Sequence, residues 1–111
     1  MKNTILITND QLGVSEKEPG QKLMKSFLAT LSQSGNPPET ILLVNTGVKL
    51  AVKGADILED LETLAEQGTE ILLCGTCVGY YELTDRIAVG RVTNMVEIVE
   101  KLNSATQTIT L

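Results

Sequence analysis

The rhythm of apolar residues constrains this chain most: short aliphatic runs alternate with stretches of helical spacing. The runs are TILIT (Thr4 to Thr8), TILLVN (Thr40 to Asn45), TEILLCG (Thr69 to Gly75), RIAVG (Arg86 to Gly90) and the closing TQTITL. The most apolar of them are nearly unbroken, which is how strands read when both faces of a sheet are covered. After Pro19, suited to a helix's first turn, Leu23, Met24, Phe27, Leu28 and Leu31 predict one apolar helix face. SGNPP (Ser34 to Pro38) ends that helix, since proline does not fit a helix interior. Asp56 and Glu59 predict a capping box ahead of a stripe formed by Ile57, Leu58, Leu61, Leu64 and Ala65, with Gly68 as the stop. Asn94 and Glu97 predict the same ahead of Met95, Ile98, Val99 and Leu102. TGVKLAVKGA gives only a weak signal, and TCVGYYEL predicts a short helix. The alternation predicts a single α/β domain over residues 1–111, built on a five-stranded, mainly parallel sheet.

Composition narrows the chemistry. The net charge is −5 and no block of Lys or Arg stands out, which argues against nucleic acid or an anionic membrane surface as partner. No apolar run approaches the ~20 residues of a membrane span, and the N-terminus does not read as a signal peptide. A cytoplasmic, reducing setting is expected, where a close cysteine pair is more often catalytic or metal-binding than structural. The sequence has no histidine, which removes Ser-His-Asp and Cys-His catalysis and the usual general base. Two thiols alone do not complete a four-ligand zinc site, so no metal is expected. Neither a G-x-G-x-x-G nor a P-loop is present, and no nucleotide or other cofactor is expected.

In open parallel sheets, ligands and reacting groups gather beyond the carboxyl ends of the strands. The small and polar residues converge there: Asn9, Asp10 and Gly13 after the first run, and Asn45, Thr46 and Gly47 after the second. Cys74, Gly75, Thr76 and Cys77 follow the third, and Gly90, Arg91, Thr93 and Asn94 the fourth. Thr76 is expected to cap the helix after the third strand, with Cys77 in its first turn. Unpaired N–H groups and the helix dipole would there lower the thiol pKa. Tyr80 and Tyr81 share the helical face of Cys77 and are candidates to wall it. Arg91 is a candidate to stabilise an anionic sulfur. Each has a plainer reading beside it. The cysteines also fit as small core residues, the tyrosines as packing, Asp10 as a turn residue and Asn94 as a cap.

LLCGTCVGYYELTDRIAVGRVTNMVEIVEKL resembles the DsrE/DsrF/TusD sulfur-relay family, and most nearly the DsrE-like C-terminal domain of YedF-type selenium-metabolism proteins. The residues that carry the likeness are Cys74 to Cys77, Tyr80–Tyr81 and the segment Val92 to Met95, with TILITND and LLVNTGVKL upstream. The resemblance implies a three-layer α/β/α sandwich with flavodoxin-like layering, often assembled as a homo-oligomer: a trimer or hexamer, or a dimer. It implies that sulfur, or selenium, travels as a persulfide between donor and acceptor proteins, a TusA-like protein among them. Cys77, in CVGY, matches the carrier position. Cys74 is then a second cysteine able to form a disulfide with it. Two other classes remain open: a dithiol redox protein cycling Cys74 and Cys77, and a non-catalytic small-ligand or assembly module on the same fold.

Overall fold

The computed structural model describes residues 3–14 and 16–111. Five strands form one sheet: β1 (Asn3–Ile7), β2 (Thr40–Leu43), β3 (Glu70–Cys74), β4 (Arg91–Thr93) and β5 (Gln107–Thr110). Their spatial order is β4-β3-β2-β1-β5, and every pairing is parallel, with Ile5 opposite Ile41 and Ile41 opposite Ile71. The helices are α1 (Lys17–Gln33), α2 (Leu58–Glu66), α3 (Gly75–Tyr80) and α4 (Met95–Ser104), with 3₁₀ segments at Asn45–Ala51 and Thr84–Arg86. No helix is long and apolar enough to cross a membrane, among the described residues.

Strand side chains alternate between faces, and that alternation divides the core. Ile5, Ile7, Ile41, Leu43, Ile71 and Leu73 pack with Met24 and Leu28 of α1 and with Leu61 and Leu64 of α2. Leu42, Leu72 and Cys74 point the other way, against Ile98 of α4. The result is the three-layer α/β/α sandwich, with one face covered by α1 and α2 and the other by α4.

Several expectations need correction. The buried stripe of α1 runs Gly20, Met24, Leu28, Ser32 at i, i+4 spacing, and Leu23 stays 55% exposed. Gly20 is needed there, because a Cβ would stand 2.8 Å from the Leu12 carbonyl oxygen where the loop after β1 crosses the helix. The Asp56–Glu59 capping box does not form. Ile57 is the N-cap of α2, without a side-chain bond, and burial of its side chain among core residues sets the entry instead. The stop at Gly68 does form: φ is +104°, and the N–H groups of Gly68 and Thr69 donate to Ala65 and Leu64 carbonyls.

The fourth strand lies at Arg91–Thr93, not Arg86–Gly90. Ile87 makes only an isolated antiparallel bridge with Val52. The chain turns into the sheet at Gly90, where φ is +79° and a Cβ would lie 2.6 Å from the Ile71 carbonyl oxygen. Gly90 and Arg91 therefore fall before or within the strand, away from the carboxyl edge. Asn94 caps α4 as expected, its Oδ1 accepting the Glu97 N–H at 3.0 Å. The inner face of α4 is narrower than its spacing suggests: Ile98 is buried, while Met95 and Val99 are 58% and 45% exposed.

Candidate functional site

Three loops meet at the carboxyl edge, and backbone geometry joins them. Asn45 opens the 3₁₀ segment with φ +52°, a left-handed conformation that asparagine tolerates better than most side chains. From there its N–H donates to the Cys77 sulfur, N···S 3.1 Å. One residue on, the Thr46 hydroxyl donates to Asn9 Oδ1 at 2.8 Å and accepts the Asp10 N–H at 3.1 Å. The loops after β1 and β2 are thereby fixed to each other, and the second is fixed to Cys77. Asn9, Asp10, Asn45, Thr46, Cys74 and Cys77 gather at this edge as expected.

Gly75 explains how the third loop fits. A Cβ there would be 2.9 Å from the Thr93 carbonyl oxygen, so only glycine lets α3 begin this close to β4. Helix α3 starts at Gly75 with Cys74 as N-cap, and no side chain caps it. Thr76 is an exposed residue of the first turn, not the cap. Cys74 is 6% exposed and packs with Leu42, Leu72 and Ile98. Cys77 is half-buried, touches the core on both sides of the sheet, and is a free thiol beside Cys74.

The depressed Cys77 pKa expected from a helix start is not what this geometry produces. Burial pushes the thiol above its ordinary value, and the hydrogen-bonded Cys74 pushes it further, while the Asn45 N–H pulls it back. The helix is only six residues long, and Cys77 is partly covered by its packing against the core. Cys77 is thus a protected thiol at neutral pH, and it becomes nucleophilic as pH rises. Replacing Cys74 by Ala removes one of the groups that hold the proton on. The alkylation rate of Cys77 in Cys74→Ala, followed against pH, is expected to reach half-maximum at lower pH than in the parent protein. An unchanged or higher midpoint would show that the two thiols do not interact.

The tyrosines divide. Tyr81 packs against the core beside Cys77, and Tyr80 is 80% exposed and stands edge-on to it, ring centroids 5.0 Å apart. Arg91 does not serve the sulfur. Its guanidinium donates to Glu97 at 2.8 and 2.5 Å and to Glu70 at 3.1 Å; Lys101 also reaches Glu70, at 2.7 Å, and Thr93 bonds Glu97. Arg91 holds the Glu97 carboxyl down to about 2, and Lys101 with Arg91 lowers Glu70. This network ties α4 to β3 and β4. Asn94 lies at the edge but spends its side chain on the cap. Sequence reasoning missed Lys49, whose ammonium lies 4.5 Å from the Tyr81 ring centroid. Its segment gave no periodicity by which to place it.

A model of the DsrE/DsrF-like family matches residues 16–111. No curated protein sequence matches the chain. Among solved structures, the crystal structure of the ychN protein from E. coli superimposes with a TM-score of 0.73 at 20% identity, covering 100% of each chain. At that identity the likeness is one of fold. The match lies at the level of the family and does not single out the YedF-type subgroup.

Proposed function

The chain belongs to the DsrE/DsrF-like family, and from that premise we propose that it is a sulfur-relay protein carrying sulfane sulfur on Cys77. The observation that supports this most is the Asn45 N–H on the Cys77 sulfur, at the edge where three loops converge. A backbone donor held there by a left-handed residue stabilises negative charge on sulfur, whether thiolate or persulfide. In the proposed step the Cys77 thiolate attacks the outer sulfur of a donor persulfide, R–S–SH. The new S–S bond forms on Cys77, the donor's S–S bond breaks, and the donor leaves as the thiolate R–S⁻. A partner's thiolate then takes the outer sulfur and regenerates the Cys77 thiolate. The same exchange serves selenium, and no metal, nucleotide or organic cofactor enters it.

The adjacency of Cys74 favours one further step. Its thiolate can attack the inner sulfur of the Cys77 persulfide, giving the Cys74–Cys77 disulfide and releasing HS⁻, after which an external thiol must reduce the disulfide. Relay and dithiol cycling thus share one pair. The raised Cys77 pKa keeps the resting thiol protonated, which slows its oxidation between encounters with a donor. Homo-oligomeric assembly belongs to the same proposal, with Met95, Val96 and Val99 as exposed apolar residues that favour it.

The test is intact and peptide mass spectrometry after reduced protein meets a persulfide donor. A gain of one sulfur on Cys77, absent from Cys77→Ser, is the expected result. A Cys74–Cys77 disulfide with no persulfide at any time point would transfer the assignment to dithiol redox chemistry. Two unreacted thiols would overturn both.

A further inference from the structure

The elements that hold the Cys77 thiol also hold a cation beside it. The 3₁₀ segment meets α3 in matched steps. Asn45 donates to the Cys77 sulfur, and four residues on, the Lys49 ammonium stands 4.5 Å from the ring centroid of Tyr81. Tyr81 itself follows Cys77 by one helical turn, its N–H donating to the Cys77 carbonyl at 3.0 Å. One turn and the breadth of a ring put the ammonium on the order of 10 Å from the sulfur. Lys49 is exposed, and the ring holds its charge without cancelling it: no carboxylate pairs with it among the described residues. The other charges of this edge are engaged or lie further off. Arg91 is taken by Glu97 and Glu70. Asp10 belongs to the loop after β1, and the strand order β3-β2-β1 leaves the 3₁₀ segment between that loop and α3.

We propose that Lys49 determines donor specificity, selecting a protein segment with a carboxylate about three residues from its persulfide cysteine, a span of ~10 Å in extended chain. The proposal rests on Cys77 being the sulfur carrier. Lys49 is not among the groups that shift the resting thiol, so its part is played on the incoming donor. The Cys77 thiolate attacks the donor's outer sulfur, the donor's S–S bond breaks, and the donor leaves as a thiolate. Through that exchange the ammonium holds the donor's carboxylate. The net charge of the chain is −5, so an acidic donor is repelled at large and needs a local cation to dock. A donor with a lysine in place of the acid meets like charge at the same point. Tyr80, 80% exposed and edge-on to Tyr81, gives the donor's chain an aromatic contact beside the lysine.

The experiment sets the reduced full chain against two peptides, acetyl-Cys-Gly-Gly-Asp amide and acetyl-Cys-Gly-Gly-Asn amide, each as a persulfide and as a pyridyl disulfide. The persulfides report sulfur gained on Cys77, by mass. The pyridyl disulfides report attack of Cys77 on the peptide sulfur, by release of pyridinethione, and carry no sulfur to transfer. In both forms the Asp peptide is expected to react about threefold faster than its Asn twin, the size of one exposed ion pair. The preference should shrink as salt is raised, vanish in Lys49→Met, reverse in Lys49→Glu and persist in Lys49→Arg. The preference among pyridyl disulfides with no sulfur gained from either persulfide would remove the relay reading and leave selection by Lys49 standing. Sulfur gained on Cys77 at equal rates from both peptides, or a preference that survives in Lys49→Met, would overturn the proposal and leave the relay standing. No reaction of Cys77 with any of the four would overturn both.

Discussion

Gly47→Ala is expected to lower stability by about 3 kcal/mol, at the upper end of what one inserted methyl costs a tight interior. The 3₁₀ segment crosses the end of β1 so closely that a Cβ on Gly47 would stand 2.6 Å from the Ile7 carbonyl oxygen and 3.3 Å from its carbon. Both are backbone atoms of a central strand, and the Val44 N–H already bonds that same oxygen at 3.0 Å. No side chain can move to make room, so the segment must lift. Asn45 lies two residues earlier and would lift with it, withdrawing its N–H from the Cys77 sulfur. That N–H lowers the thiol pKa, so its loss should move the Cys77 alkylation midpoint to higher pH, opposite to the effect of Cys74→Ala. Gly79 is the control. Nothing lies within 4 Å of a Cβ built there and its φ is ordinary, so Gly79→Ala in α3 should be neutral or slightly stabilising. Urea unfolding of the three proteins decides the matter. Equal midpoints for Gly47→Ala and the parent would mean the segment is not seated as described.

The same crossing shows what the sequence could and could not reveal. TILIT, TILLVN and TEILLCG announce strands because both faces are buried, and burial leaves an unbroken aliphatic signature. The edge strand β4 carries no such signature. Arg91 and Val92 are exposed, so RVT reads as polar, while the more apolar RIAVG five residues earlier draws the assignment without entering the sheet. The cysteine loop was legible because small residues at strand ends have few other uses. The sign of the Cys77 shift was not: it depends on whether the sulfur faces water or Cys74, a matter of one rotation about a six-residue helix. Lys49 was invisible for another reason: it meets Tyr81 from a separate stretch of chain whose spacing has no pattern of its own.

Ile98→Ala is expected to cost about 3 kcal/mol, within the range for truncating a buried isoleucine, and to release α4 from the sheet. The spacing of Met95, Ile98, Val99 and Leu102 promises a broad inner face, but among the described residues α4 is the one helix packed on its side of the sheet. With no second helix to pack against, one side chain carries the contact: Ile98, 3% exposed, against Leu42, Leu72 and Cys74, with Leu102 partly covered beside it. The ion pairs of Arg91 with Glu97 and Lys101 with Glu70 cannot take over, because they are exposed and such pairs contribute about 0–1 kcal/mol each. Met95→Ala, at a side chain 58% exposed, should change stability by no more than about 0.5 kcal/mol. β5 follows α4 and is exposed along its length, held to β1 by backbone pairing, so it should loosen with the helix. Cys74 then reports the event, since Ile98 is part of its cover. In Ile98→Ala the Cys74 thiol should alkylate faster than in the parent, and the amides of β5 should exchange sooner than those of β2. If the variant unfolds earlier but Cys74 and β5 keep their protection up to the global transition, α4 is held by more than this one contact.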